Sequence, residues 1–555
     1  MRFRVPLVIW FLLWAAVLAG PPVSAQSAPA VSAAATAPET TNLGDIFDRG
    51  HTLESDRRWG EALTLYEDAL RQFPTDRKLE QRLRLSRIHY DLGRRYNDRS
   101  FRDSLAALSA RQAQELYGEV LLKIQSHYVD APDWRQLAEH GTVGLELALA
   151  DPLFAETNLR DIPAARISHF RRQLRDLLGR QDLNSRNAVQ NLAATVARLA
   201  RGQIGLPEAV VVMEYTCGAT NSLDSYSTFL TAGQLNEVYS QIEGNFVGLG
   251  IELKAADGAL QIVKVITGSP AERGGIQQGD KITMVDGQST AEFSTDQAAN
   301  LLQGREGSVA DVTVVTPGRA PRQLHIRREH VEVPSIDDAR IVDSTFGIGY
   351  LKLTCFQKTT TRDLNDALWK LHGVGMKSLI IDLRGNPGGL LTTAVDVVDK
   401  FVDRGVIVST RGRSRQEDAS YSARESGTWR VPLVVLIDGD SASASEIFAG
   451  AIRDHRRGTI VGERSYGKGS VQGIFPLGQA NAGLRLTTAK FYSPKGKPFS
   501  GVGVVPDVVV PHRVARVDLD EAQPTATNDA DDALDAAVRA ARQELARPSG
   551  SAMTR

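Results

Sequence analysis

Apolar positions recur along this chain with periods that differ from stretch to stretch, and each change of period marks a change of predicted architecture. From about residue 100 to 235, Leu, Val, Ile and Ala fall three or four residues apart, as in LSARQAQELYGEVLLKIQSHYVD and LNSRNAVQNLAATVARLARG; this spacing predicts amphipathic helices. Between Asn245 and Arg328 the runs shorten to FVGLGIEL, LQIVKVI, KITMVDGQ and DVTVVTP. With Gly-Ser-Pro-Ala and Gln-Gly-Asp turns between them, they predict strands of a compact β-rich module. From about 331 to 512 the two patterns alternate: FGIGYLKL reads as a strand, TTTRDLNDALWKLHGVG as a helix, KSLIIDLRG as a buried strand and LLTTAVDVVDKFV as a second helix. VPLVVLID and ASEIFAGAIRD repeat the alternation, which predicts an α/β core. The chain therefore reads as an α/β multidomain protein with an all-helical N-terminal region.

The ends carry different signals. MRFRVPLVIWFLLWAAVLAGPPVSA has a basic start at Arg2 and Arg4, an apolar run and a small-residue Val23-Ser24-Ala25 site, so residues 1–25 read as a cleavable secretory signal peptide. Its apolar run is short for a spanning helix. This places the mature chain outside the cytoplasm, secreted or periplasmic, with membrane association as the weaker reading. Residues 26–42, rich in Ala, Ser, Pro and Thr, read as a disordered linker. In WGEALTLYEDALRQFPTD, Ala62, Leu63, Tyr66, Ala69, Leu70 and Pro74 fall as in the second helix of a tetratricopeptide unit, with LGDIFDRGHTLESDRR as a first helix and KLEQRLRLSRIHYDLGRRY as a third. An ordinary helical hairpin fits residues 43–96 equally well. After 512 the chain turns acidic and Ala-rich, and 513–555 reads as a solvated helix around Asp529 to Leu545 followed by a flexible tail.

Composition narrows the function classes. With 555 residues the chain exceeds a single core. The 65 basic and 66 acidic residues leave a formal net charge of −1, which gives no reason to expect a nucleic-acid partner. Cys217 and Cys355 are too few for a disulfide framework; an address outside the cytoplasm allows one bridge between them, and two buried free thiols is the favoured reading. His, Cys and Asp are nowhere spaced as metal ligands.

The candidate chemistry lies in IDGDSASASEIFAGAIRDHRRGTIVGERSYGKGSVQ. Ser443 falls at the predicted start of a helix, where unpaired backbone N–H groups, that of Ala444 among them, can stabilise an oxyanion. A serine hydroxyl needs a base to become a nucleophile, and a desolvated lysine acting as free amine serves as well as histidine. Lys468, between Gly467 and Gly469, is the candidate. Each has a plainer reading. Ser443-Ala444-Ser445-Glu446 fits an S-x-x-E capping box, and Lys468 fits a solvated turn lysine.

Upstream, Gly248-Leu249-Gly250 lets consecutive N–H groups converge on a carboxylate, and a strand beginning at Ile251 offers an edge along which a peptide can extend. With GSPAERGGIQQGDKITMVDG following, residues 240–330 resemble a PDZ domain.

GNFVGLGIEL, DLRGNPGG, SASASEIFAG and GERSYGKGSVQ, spread over roughly residues 220 to 512, together resemble the signature of the carboxyl-terminal processing proteases, also called tail-specific proteases. The resemblance implies a protease core of the ClpP/crotonase-like α/β kind over 331–512, with the PDZ domain inserted after a helical region at 97–239. It implies Ser443 as nucleophile, Lys468 as base, Gln472 one helical turn on as the residue that orients the lysine, and the N–H groups of Gly389 and Ala444 as the oxyanion hole. Asp454 matches an acidic position of structural support. The resemblance further implies no metal or other cofactor, and protein substrates with unstructured, apolar C-termini. Adaptor or envelope proteins bound through residues 43–96 are the further partners it suggests; oligomeric state is not implied. One segment departs from the family: SLDSYSTFLTAGQL stands where a Leu-Asp-Pro-His-Ser turn is expected. A catalytically inactive PDZ and helical-repeat scaffold that binds C-termini in the cell envelope is the alternative reading.

Overall fold

The computed structural model describes residues 9–10, 42–256, 259–291, 301–424, 427–511 and 531–546. The expected signal peptide and linker lie outside these residues apart from Ile9, Trp10 and Asn42, as does the tail beyond Ala546. From residue 42 onward the chain divides into two compact units: residues 42–235 join Gln472–Thr488, while Asn236–Val471 join the chain from Ala489 onward.

The first unit is helical. Leu43–Ser55, Trp59–Gln72 and Arg77–Asn97 are the three helices expected from the periodicity. Asn42 and Asp76 cap the first and third through hydrogen bonds accepted from Gly44 N–H and Leu79 N–H. They enclose a small core of Ile46, Leu53, Ala62, Tyr66, Ala69 and Leu79. Gly50 permits this packing, since a Cβ there would lie 2.1 Å from the Tyr66 hydroxyl. The third helix continues into a larger core, because Leu92 and Tyr96 pack with Tyr117, Val196 and Tyr215.

At the centre of that larger core runs Glu208–Asn221, which is buried on all sides from Ala209 to Thr220. It meets the helix Trp134–Ala148 backbone to backbone: a Cβ on Gly218 would lie 2.6 Å from Gly141 Cα. Its one buried carboxylate, Glu214, accepts hydrogen bonds from Arg95 (2.7 Å) and the Tyr96 hydroxyl (2.9 Å). Leu484 and Leu486 complete the core. The predicted 331–512 block is thus divided, with its Gln472–Thr488 stretch folded into the helical unit. In the divergent SLDSYSTFLTAGQL segment, Asp224 accepts N–H bonds from Tyr226 and Ser227, and Thr228–Leu230 pairs antiparallel with Gly483–Arg485.

The second unit holds two sheets that matter here. One has the strand order Ile251–Ala256, Ala259–Val265, Lys281–Val285, Val309–Val315, Arg322–Arg327 and forms the expected β-rich module, with Ile251–Ala256 at its edge. FVGLGIEL is not one strand, as the apolar run suggests, but two. Gly250 has φ +83°, and Asn245–Gly248 pairs instead with Glu329–Glu332. The other sheet runs Ile336–Asp343, Ile348–Leu353, Ser378–Asp382, Leu433–Ile437, Thr459–Gly462, Val508–Val509; its first pair is antiparallel and the remainder parallel.

Helices Thr360–Gly373, Leu391–Asp399 and Ala444–Asp454 connect successive parallel strands of this sheet, as short Val/Ile runs alternating with amphipathic stretches require. The opposite face is covered by Asp532–Ala546, whose Ala536, Ala537, Ala540 and Ala541 pack on Ile380, Val434 and Leu436. This corrects the reading of that helix as a solvated element: its apolar stripe is made of alanines, which composition alone reads as neutral.

Candidate active site

The strand Leu433–Ile437 ends at Asp438, and the chain turns through Ser441, Ala442 and Ser443 into the helix Ala444–Asp454. Ser443 takes φ +61°, ψ −110°, a conformation that costs a non-glycine residue about 1–3 kcal/mol and occurs where surrounding contacts enforce it. Those contacts are numerous. Asp438 accepts N–H bonds from Ser441 (2.9 Å) and Gly385 (3.0 Å) on its two oxygens. Asn386 O accepts from Ala442 N–H (3.0 Å) and the Ser445 hydroxyl (2.9 Å). The turn after strand Ser378–Asp382 is thereby tied at several points to the turn that presents Ser443.

Ser443 is completely buried, and its Oγ makes no hydrogen bond among the described residues. The capping-box arrangement is present, and its strong half is the Glu446 carboxylate, which accepts the Ser443 N–H at 2.7 Å. Glu446 has a larger role than the S-x-x-E pattern suggests. Its buried carboxylate also accepts the Ser465 hydroxyl (2.6 Å), Gly467 N–H (2.7 Å) and Lys468 N–H (2.8 Å). Burial pushes this carboxyl above its ordinary range, and the four donors pull it back.

Lys468 is 2% exposed, so the solvated-turn reading does not hold. Its turn is closed from the other side by the loop after Phe499: Gly501 N–H donates to Gly467 O at 2.8 Å, and a Cβ on Gly469 would lie 2.2 Å from Ser500 N. Asp454 accepts from the Ser493 hydroxyl (2.6 Å) and Lys495 N–H (3.1 Å), fixing the end of the strand Gly483–Tyr492.

Gly388 and Gly389 have φ +104° and +147°. Phe356 N–H donates to Gly388 O (2.9 Å) and Leu390 N–H to Phe356 O (2.7 Å). Every described peptide bond is trans, so the Gly389 N–H points the opposite way from Gly388 O, away from Phe356. A Cβ on Gly388 would lie 2.9 Å from both Ala444 N and Ser443 Cβ, and one on Gly389 would lie 2.0 Å from Phe356 O. Ala444, the first helical residue, has no intrahelical acceptor for its N–H.

Gln472 is placed differently from the other four residues. It lies on the strand Ser470–Pro476, not one helical turn after the lysine, because Val471, Ile474 and Phe475 favour extended chain. It is buried, accepts a hydrogen bond from Thr487 Oγ1 at 3.2 Å, and belongs with Thr487 to the first unit.

In the β-rich module, Leu249 is buried in the core with Leu260 and Ile282. Its carbonyl accepts from Ala271 N–H at 2.9 Å, and Gly250 O accepts from Ile266 N–H at 2.9 Å. Gly248 closes its strand opposite Glu329, and Ile251 opens the edge strand.

Residues 347–510 match peptidase family S41, and residues 261–316 match the PDZ domain. A carboxy-terminal-processing protease of Bartonella bacilliformis is 37% identical over 337 residues, 59% of this chain and 76% of the relative. The chain belongs to the carboxyl-terminal processing protease family. A carboxyl-terminal-processing protease of Synechocystis is 35% identical over 267 residues, 48% of this chain and 62% of that one. A solved structure named photosystem II D1 C-terminal processing protease is 25% identical, with a TM-score of 0.38 over 73% of this chain and 95% of its own. This family member is thus a serine-type peptidase with a PDZ domain. Sequence reasoning missed the positioning groups of its site, Glu446, Asp438 and Asn386. The first was visible only as a helix cap, Asn386 lay inside the DLRGNPGG motif with no role of its own, and Asp438 carried no pattern.

Proposed function

We propose that this chain cleaves extracytoplasmic proteins near their C-termini with a Ser443-Lys468 dyad. The observation that carries the reading is the single buried carboxylate of Glu446, which accepts the backbone N–H groups of both residues and so holds the two turns together. A lysine acts as base only as a free amine, and exclusion of water is the setting that favours that form. Lys468 takes the Ser443 proton, Ser443 Oγ attacks the scissile carbonyl, and the oxyanion rests on the N–H groups of Gly389 and Ala444. Lys468 then protonates the leaving amine, and water resolves the acyl-enzyme. Because Ser443 is fully buried, substrate reaches it only once the surrounding chain moves aside.

The substrate C-terminus docks beside Gly248, Leu249 and Gly250 and extends along the free edge beginning at Ile251, a mode in which backbone pairing supplies affinity. The apolar leader at residues 1–25 supports a secreted or periplasmic address, and the three-helix stack from Leu43 supports recruitment of substrates or envelope adaptors. Purified mature protein, incubated with a protein bearing an unstructured apolar tail, tests the function. Fragments are expected from the wild type and none from Ser443→Ala. Binding of the tail without cleavage by the wild type would instead establish a scaffold.

A further inference from the structure

We infer that Asp531, at the head of the C-terminal helix, is a positioning residue for the turn that carries Gly389. Arg384 opens that turn. Its Nε and Nη2 donate to Asp382 (Nε to Oδ1 at 3.0 Å, Nη2 to Oδ2 at 2.6 Å), and its Nη1 and Nη2 donate to the two oxygens of Asp531, both at 2.8 Å. The guanidinium is therefore gripped along two edges, one carboxylate coming from the strand before the turn and the other from a segment far along the chain. A paired fork of this kind fixes direction as well as distance. Asp382 is itself held by the Tyr350 hydroxyl at 2.9 Å.

The consequence passes along the turn by short steps. Next to Arg384, Gly385 has φ +70° and donates to Asp438; then Asn386 donates to Leu353 O (2.8 Å) and accepts the Gly388 N–H (2.9 Å) on its side chain. Gly388 and Gly389 follow, beside Ala444 N and Ser443. Asp531 can act as an anchor because the helix behind it is immobilised: its alanine stripe packs on the sheet, and Arg542 pairs with Asp343 at 2.7 Å. Arg384 holds the Asp531 carboxyl below its ordinary range, so the anchor stays charged. The helix thus works as a strap across the back of the sheet whose N-terminal carboxylate reaches round to the oxyanion turn.

The inference rests on the reading of Ser443 as the nucleophile whose oxyanion Gly389 and Ala444 receive, and one set of variants separates the two. Asp531 also caps its helix, accepting Leu534 N–H at 3.0 Å, but asparagine caps as well as aspartate, so Asp531→Asn removes the charge pair and keeps the cap. In the full-length protein Asp531→Asn is expected to lower kcat roughly tenfold, as small displacements of catalytic groups do, with KM unchanged. Asp531→Glu is expected to recover most of the loss, and the melting temperature serves to show that both variants are folded. An unchanged kcat in Asp531→Asn, or a fall accounted for by the fraction of unfolded protein, overturns the inference. The wild type and Ser443→Ala in the same assay report on the underlying reading. If Ser443→Ala still cuts, that reading falls; if it is inactive while Asp531→Asn is fully active, the strap alone falls.

Discussion

Ser443 and Lys468 share one oxygen: both backbone N–H groups donate to Glu446 Oε2, at 2.7 and 2.8 Å, so their nitrogens lie no farther apart than these two bonds laid end to end. One carboxylate oxygen thus ties the turn that carries Ser443 to the turn that carries Lys468.

Replacing that carboxylate therefore damages both partners at once. Glu446→Gln keeps the size but presents an NH2 group to donors that need acceptors. It is expected to reduce kcat on the order of a hundredfold. Each buried donor left unpaired costs about 1–3 kcal/mol, so the melting temperature falls as well. Steady-state kinetics and thermal melts check the pair of effects. A variant that loses stability and keeps kcat would contradict the shared-anchor role.

The same group sets a pH signature. Its folded value is raised above the ordinary 4.5, by burial first, so the native state holds this proton more tightly than the unfolded chain does. Its contribution to stability is complete below the unfolded value and is lost as pH rises through the folded one. Activity runs oppositely, because the protonated oxygen cannot serve both N–H groups. Just above pH 4.5, then, stability is expected to fall and kcat to rise with pH, and Glu446→Gln to flatten both trends. Melts and kcat across that window measure it.

Ser441 separates a structural serine from a catalytic one. Its hydroxyl donates to Leu383 O at 2.8 Å and accepts Asp438 N–H at 3.0 Å, so Ser441→Ala is expected to lose about 1 kcal/mol of stability and still cleave. Denaturant melts beside a cleavage assay check this.

Gly250 is expected to separate binding from chemistry. Its φ of +83° and the 2.3 Å approach of a Cβ to Ser269 Cβ mean that Gly250→Ala disturbs the turn ahead of the edge strand. KM for a tailed protein should rise, and the advantage of a free over an amidated C-terminus should vanish. Cleavage of a short peptide should keep its kcat. Equal loss on both substrates would remove the docking role from this turn.

Much of this architecture was legible in the pattern of apolar positions. The Val/Ile runs at Ser378–Asp382 and Leu433–Ile437 have little alternative to buried parallel strands, and the helices between them carry clear apolar faces. Three features were not legible. Gly250 splits a continuous apolar run because φ is not written in hydropathy. The alanine face of Asp532–Ala546 reads as neutral until a sheet is found beneath it. Residues 43–96 read as one helical unit, yet Arg95 at its end pairs with buried Glu214, so its third helix belongs to the larger core as well. At the site, motif positions named Ser443 and Lys468, but Glu446, Asp438 and Asn386 act through distant backbone groups, a relation that spacing does not encode.

The dyad itself is tested most directly by a double-mutant comparison of kcat/KM on one tailed substrate, with Ser443→Ala, Lys468→Ala and the double variant all shown to be folded. Residues that act as one unit are not additive in their loss. Each single variant is expected to be inactive, and the double variant no slower than either. Cleavage surviving in Ser443→Ala, or losses that multiply in the double variant, would contradict a Ser443-Lys468 dyad.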